Sequence, residues 1–338
     1  MKILVTGGLG FIGSHTVVEL VQKNYEVVII DNLSNSDEKV LDGIKQITAK
    51  DVQFEKIDLR DRGAIADFFD KHSDVQGVIH FAASKAVGES VEDPLMYYEN
   101  NLSSLVYLLK ELLAIGRTNF IFSSSCTVYG EADQVPITEE AEIKPALSPY
   151  GNTKQIGEEI IKDSCKAYPE LNAISLRYFN PIGAHPSTLI GELPIGGPQN
   201  LIPFITQTAV GLRRELSVFG DDYPTEDGTC IRDYIYVVDL AKAHVKALER
   251  LINQKASTNY EVFNLGTGKG SSVMEVIQSF ERISEQKLPY RIASRREGDV
   301  IKAFADTKKA NQVLGWSSET PLDEALLTAL RWEKKIRE

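Results

Sequence analysis

One stretch constrains the fold of this chain more than any other: "KILVTGGLGFIGSHTVVELVQKNYEVVIID", ending at Asp31. Residues 2–6 are β-rich. Gly7, Gly10 and Gly13 then recur at intervals of three. Over 14–21, Val17, Val18, Leu20 and Val21 give a helix its apolar face, and "EVVII" reads as a second strand. Glycines in such a turn let the backbone bend tightly and approach a pyrophosphate, which sits on the positive end of the following helix. Asp31, about twenty residues on, is placed to accept hydrogen bonds from the ribose hydroxyls of adenosine. A carboxylate there repels a 2′-phosphate, so the pattern favours NAD over NADP.

The alternation continues. "VQFEKIDLRD" reads as a strand ending near Asp58, "DRGAIADFFDKH" as a helix and "VQGVIHFAA" as a strand covered on both faces. "PLMYYENNLSSLVYLLKELLAIG" reads as one long helix stopped by Gly116. "NFIFSSS" and "NAISLRYFN" add a fifth and a sixth strand. This alternation predicts an α/β fold: a doubly wound parallel sheet of the Rossmann kind, with a smaller mixed α/β substrate domain. Ligands bind at the carboxyl ends of such strands, where Asp58, Ala82, Ser123, Ser124, Ser125 and Phe179 fall. The boundary is expected near Asn180, giving an NAD-binding domain over 1–180 and a second domain over 181–338. The two interleave, because the helix "VVDLAKAHVKALERL" and the strand "YEVFNLG" near 236–265 are expected to return to the first sheet. "SVMEVIQSFERISE" and "PLDEALLTALRWEKKIR" read as amphipathic helices of the second domain.

At 338 residues the chain is long enough for about two domains. A net charge of −11 argues against nucleic acid as a partner, which needs a basic face. Any anionic ligand must therefore be met by a few placed Arg or Lys residues. The three cysteines, Cys126, Cys165 and Cys230, lie far apart and suggest neither a disulfide framework nor a zinc site. A reducing, cytoplasmic setting fits them. His80 reads as a strand-end residue and His185 as a loop residue; none of the five histidines has ligand spacing, so no metal site is expected. No apolar run reaches the roughly 18 residues of a membrane span, and the N-terminal run is too short for a signal peptide.

"SPYGNTK" places Tyr150 and Lys154 one helical turn apart, on one face. Pro149 suits the first turn of that helix. Alone, such a pair is more often a solvated helix face than a catalytic one. With serines at the end of the fifth strand, however, a hydroxyl, a phenol and an ammonium can converge beside a nicotinamide. The glycine pattern, "YGNTK" and the serines resemble the extended short-chain dehydrogenase/reductase superfamily. "DNLSNS", "HFAASKAVGESV", "YYENN", "FSSSCTVYG", "RYFNPIGAHPS", "FGDDYPTEDGTCIRDYIYVVDLA", "FNLGTG" and "RREGDV" extend the likeness along nearly the whole chain. Together they resemble the UDP-glucose (UDP-galactose) 4-epimerase family.

The resemblance implies an isomerase of galactose metabolism. Tyr150 takes the proton of the sugar 4-OH, the C4 hydride moves to tightly held NAD, and a 4-keto sugar turns over before the hydride returns to its other face. A free tyrosine titrates near 10, so a base working at neutrality needs a drop of about three units, or roughly 4 kcal/mol. A unit charge 4 Å away in an effective dielectric of 20 gives about that much. Lys154 is therefore sufficient in magnitude, with the nicotinamide ring assisting. The sequence leaves open which of Ser123, Ser124 and Ser125 serves the sugar 4-oxygen; the family motif favours Ser125.

By the same resemblance, the cofactor is bordered by Gly7, Gly10, Phe11, Ile12, Gly13, Asp31, Asn32, Asn35, Ser36, Asp58, Leu59, Phe81, Ala82, Ala83, Lys85, Asn100, Ser123, Tyr178 and Phe179, besides Tyr150 and Lys154. Phe11 departs from the family's usual tyrosine. The UDP-sugar falls to Lys85, Asn180, Asn200, Leu201, Phe219, Arg232, Arg296, Asp299 and Ala303, besides Ser125 and Tyr150. Ala303 is small where some members carry tyrosine, which leaves room for an N-acetyl group. The helices through Tyr107 and after Tyr150 pair across a homodimer in the family. Two other functions compete. A nucleotide-sugar 4,6-dehydratase needs an Asp-Glu step where this chain has Cys126 and Thr127. A non-catalytic NAD-binding regulator would commonly lack Tyr150 or Lys154, and both are kept.

Overall fold

The computed structural model describes residues 1–116, 119–296 and 298–338. Seven parallel strands form the central sheet: β1 (Lys2–Thr6), β2 (Glu26–Asp31), β3 (Gln53–Lys56), β4 (Val75–His80), β5 (Asn119–Ser125), β6 (Asn172–Tyr178) and β7 (Tyr260–Leu265). Their order is β7-β6-β5-β4-β1-β2-β3. The chain winds outward from β1 in both directions, so the crevice opens where that direction reverses, at the ends of β1 and β4.

The apolar runs of the strands are explained by what covers them. Ile3 and Val5 of β1 enter one core with Val27, Ile29 and Ile79, while Leu4 enters the opposite core with Val28, Ile30 and Val78. Successive side chains point to opposite faces, and here both faces are dry. Helix α1 (Phe11–Gln22) covers the first face; α2 (Val40–Thr48) lies at its margin. Helices α3 (Arg62–Lys71), α4 (Ser104–Ala114) and α5 (Pro149–Ala167) cover the second.

A second lobe carries its own core. Helices α6 (Leu201–Ala209), α8 (Val273–Ser284) and α9 (Leu322–Lys335) bury Ile205, Phe280 and Leu326 against Leu216 and Val218 of a short two-stranded sheet. Helix α7 (Val237–Ile252), by contrast, leaves that lobe and packs against α1, while β7 adds to the edge of the main sheet beside β6. The segment through Ala310, Leu314 and Trp316 also returns to this first core, and the Trp316 indole donates to the Asp239 carbonyl at 2.9 Å. Nothing in the sequence pattern announced that return.

Two expected elements differ. The long helix from Pro94 is broken: Pro94–Tyr98 and α4 are separated by a π-helical turn, Glu99–Ser103. Such turns often sit at functional sites. Here the turn swings Asn101 inward, where it accepts from the Ser84 amide at 2.8 Å and donates to the Thr153 hydroxyl at 3.0 Å. Strand β3 ends at Lys56, short of Asp58. The Asp58 carboxylate instead accepts from the Arg60 amide and guanidinium, a local bond that competes with strand pairing.

Candidate active site

The glycine turn is built for close approach. Gly7 has φ +67°, and a Cβ there would lie 2.8 Å from the Ala82 amide nitrogen. A Cβ on Gly13 would collide with the Gly7 carbonyl oxygen. The first turn of α1 receives no side-chain cap from Gly10, so its amides remain for a ligand. The buried Asp31 carboxylate accepts from the Leu9 amide (3.1 Å), the Leu33 amide (3.0 Å) and the Ser36 hydroxyl (2.8 Å), tying the turn to the end of β2. Asn32 donates to Asp58 at 3.3 Å, and the Arg60 guanidinium holds the Asp58 carboxyl down at about 2. Leu59 is buried in the second core, and Asn35 is exposed in the loop after β2. A backbone cradle beside a buried carboxylate fits a dinucleotide.

Across the crevice, Ser148 caps α5, its hydroxyl accepting from the Gly151 amide at 3.2 Å. Pro149 follows in the first turn. Tyr150 and Lys154 are both buried. The three serines of β5 have different partners. The Ser123 and Tyr178 hydroxyls share a 2.7 Å hydrogen bond, and Ser124 donates to Glu158 at 2.5 Å. Ser125 faces the Tyr150 phenol, while its oxygen accepts from the Thr127 amide at 3.2 Å. Of the three, Ser125 is the one that bonds the Tyr150 phenol.

The electrostatics differ from the expectation. Burial pushes the Tyr150 phenol well above its ordinary range, with Tyr178 adding to the rise and Ser125 opposing it. Lys154 does not reverse this. Its ammonium donates to the Ser123 carbonyl at 2.7 Å and lies 5.9 Å from the centre of the Tyr150 ring. Burial also pulls Lys154 down to about 8, against the field of Glu158. Among the chain's own groups facing the phenol, Ser125 is the one that opposes the rise.

Phe81 packs on His244 with ring centres 4.6 Å apart, and Ala82 and Ala83 continue from β4. Asn100 donates to the Ser84 hydroxyl at 3.1 Å. Phe179 is buried with Val128, Tyr129, Ile137 and Ala305, in a small core between the lobes. Phe11 and Ile12 lean from α1 onto the core of the second lobe. Lys85 approaches Glu192 at 3.7 Å, and Asn200 donates to the same carboxylate at 2.9 Å. Glu192 joins two expected ligands from different segments, and a lone glutamate gives no sequence signal of that.

On the second lobe, Arg232 and Arg296 converge on one Asp299 oxygen, at 3.2 and 2.8 Å. The Arg232 side chain is 14% exposed and that of Arg296 is 59% exposed. Phe219 lies beside Arg296, 5.9 Å from ring centre to guanidinium, and is 42% exposed although aromatic. Ala303 pairs with Arg232 across a two-residue parallel bridge. The Asn180 amide donates to the Asp233 carbonyl at 2.9 Å, and Leu201 opens α6. Asp233, which the sequence reading passed over, is buried and accepts from the amides of Thr267, Gly268 and Ala305. Among the described residues no group of three His, Cys, Asp or Glu could hold a metal, and no helix is long and apolar enough to cross a membrane.

Fold and site together define a Rossmann-type enzyme with a serine, a tyrosine and a lysine gathered at its dinucleotide crevice. The NAD dependent epimerase/dehydratase family model matches residues 3–266, and the chain belongs to that family. It is 50% identical over 333 residues to the UDP-glucose 4-epimerase of Bacillus subtilis (strain 168), covering 98% of this chain and 97% of the relative. Among solved structures, it is similar to a UDP-glucose 4-epimerase from Stenotrophomonas maltophila, crystallised with bound NAD and formylated UDP-arabinopyranose. That match has a TM-score of 0.96 at 45% identity, over 100% of this chain and 99% of the other. The enzyme from Bifidobacterium longum in complex with NAD+ and UDP aligns with a TM-score of 0.94 at 45% identity, over 99% and 98% of the two chains.

Proposed function

We propose that this chain interconverts UDP-glucose and UDP-galactose by reversible inversion at C4, using NAD that it retains. The observation that carries this reading is the meeting of Ser125, Tyr150 and Lys154 beside the glycine turn. Near-full-length identity to UDP-glucose 4-epimerases supports it. NAD, when bound, would supply a two-electron acceptor for the C4 hydrogen and the positive charge of its ring.

The chain's own residues do the rest. The turn of Gly7, Gly10 and Gly13, with Asp31 at the next strand end, holds the cofactor. The Tyr150 oxygen takes the proton of the 4-OH, and Ser125 hydrogen-bonds the 4-oxygen within short reach. The Lys154 ammonium supports the phenolate. Arg232 and Arg296 offer planar, bidentate donors to a pyrophosphate. Asp299 accepts from the uridine ribose, Phe219 supplies an aromatic face to the uracil, and Asn180, Asn200 and Leu201 complete the wall.

The finer parts of the reading are these. Ala303 leaves space at C2 for an N-acetyl group. Helices α4 and α5 pair across a homodimer. The division lies at 180, and the three thiols, unpaired in the structure, suit a cytoplasmic enzyme. The test is to incubate the purified protein with UDP-galactose, quantify UDP-glucose, and measure NAD released on denaturation. Conversion without loss of water, with NAD recovered in proportion to protein, is expected. A dehydrated product would move the function to the dehydratases, and no turnover would end the reading.

A further inference from the structure

Behind the catalytic face of α5 lies a buried charged network that the mechanism does not use. Glu158 stands one turn beyond Lys154 on α5. Its carboxylate accepts from the Arg177 guanidinium at 2.9 Å (Nε) and 2.5 Å (Nη2), and from the Ser124 hydroxyl at 2.5 Å. Arg177 also donates to the Tyr129 hydroxyl at 3.0 Å, and Tyr129 donates to Asn264 at 2.6 Å. The Glu158 and Arg177 side chains are buried. Ser124 sits between Ser123, whose carbonyl receives the Lys154 ammonium, and Ser125, which faces Tyr150. Tyr129 ends the 3-10 turn Cys126–Tyr129 that leaves β5. From the helix that carries Tyr150 and Lys154, this one carboxylate thus bonds β5, which presents the serines, and β6 beside it.

We propose that Glu158 is a positioning residue: its charge, held in place by Arg177, keeps Lys154 protonated and fixes the Ser124 backbone so that Ser125 meets Tyr150. The inference rests on the reading of Lys154 as the ammonium that supports the base. The surroundings leave Glu158 little competition. On β4, His80 faces Lys154 and is pushed down to about 3, so it stays neutral. On β6, Tyr178 is pushed up to about 12, and on the turn Cys126 is pushed up to about 11, both by burial. Tyr150 and Tyr97 are raised further. Of the groups facing Lys154, Glu158 is then the one whose carboxylate acts on it, with Arg177 paired behind. Burial works to strip the Lys154 proton, and Glu158 is the group opposing it.

The experiment titrates Lys154 directly in the NAD-loaded protein, following its ε-carbon by NMR in lysine-labelled enzyme, with Lys154→Met fixing the assignment. In Glu158→Gln the midpoint should fall by roughly two pH units, the size expected for losing a unit charge one helical turn away. In Arg177→Met, which keeps the Glu158 carboxyl, the midpoint should hold or rise. The alkaline limb of kcat against pH for UDP-galactose should move with it. A merely structural role moves melting temperature in both variants and neither midpoint. If either single variant fails to fold, the double variant Glu158→Gln/Arg177→Met removes both charges of the pair, so neither is left without its partner; its midpoint should still fall. A midpoint in Glu158→Gln or the double variant that superimposes on wild type, or single variants that move alike, would overturn the proposal. The NMR titration decides it even where wild type shows no epimerisation, a result that would instead defeat the functional reading.

Discussion

The two walls of the crevice are made differently. The cofactor wall is backbone: glycines pressed against other main chain, an uncapped helix end, and side chains fixed by regular elements. Gly7 lies against Ala82, and Lys154 reaches the Ser123 carbonyl. The wall proposed for the UDP-sugar is side chain. Arg232, Arg296 and Asp299 stand on two-residue strands and loops and satisfy one another, as do Lys85, Asn200 and Glu192. The first wall is ready for its ligand. On the second, the proposed binding of a pyrophosphate would turn the arginines from the carboxylate they share, exchanging one set of ionic hydrogen bonds for another. A cofactor kept through many turnovers suits a rigid wall, and a sugar that must enter, turn over and leave suits an adjustable one.

The largest effect expected from this contrast is at the chemical step. Tyr150→Phe removes the phenol oxygen and keeps the ring. General bases contribute about 10²–10⁴-fold, so turnover should fall at least that far while UDP still binds by calorimetry. Near-normal turnover would assign the base elsewhere. The rigid wall itself is tested by Gly13→Ala. With a methyl driven into the Gly7 carbonyl, the turn must open, and the purified protein should carry only a small fraction of the NAD found in wild type. Full NAD content would show that the backbone cradle yields as easily as the opposite wall.

The adjustable wall should respond more gently. Arg232→Ala removes charge-assisted bonds worth about 1.5–3 kcal/mol, predicting a KM for UDP-galactose raised roughly 10- to 100-fold with kcat changed less. A loss confined to kcat would place Arg232 in the chemistry and blur the contrast. The smallest effect is at the sugar. Wild type should turn over UDP-N-acetylglucosamine as well as UDP-glucose, and Ala303→Tyr should depress mainly the N-acetylated substrate. No detectable turnover of that substrate by wild type would remove Ala303 as a specificity determinant.

Legibility in the sequence follows the same division. The cofactor wall was readable because each of its parts is local: glycines at fixed spacing, an acid at the next strand end, and Tyr150 and Lys154 one turn apart. Glu158, one turn beyond Lys154, was not singled out, because its partners Ser124 and Arg177 come from two other strands. Arg232, Asp299, Phe219 and Ala303 were found through likeness to a family, since no period relates them. Glu192 and Asp233 escaped because an isolated carboxylate carries no pattern.

What the sequence determined by itself was the sheet, its two-sided burial and the place of the crevice, because hydrophobic period and glycine spacing act over a few residues. It also placed a phenol and an ammonium on one helical face. Only the tertiary structure decided which of three adjacent serines meets that phenol. It decided too that the ammonium turns to the Ser123 carbonyl while burial raises the tyrosine, and that the segment around Trp316 returns to the first core. Each of those outcomes depends on which distant groups share a low-dielectric interior. Desolvation and pairing there are set by neighbours in space, and the order of residues along the chain does not name them.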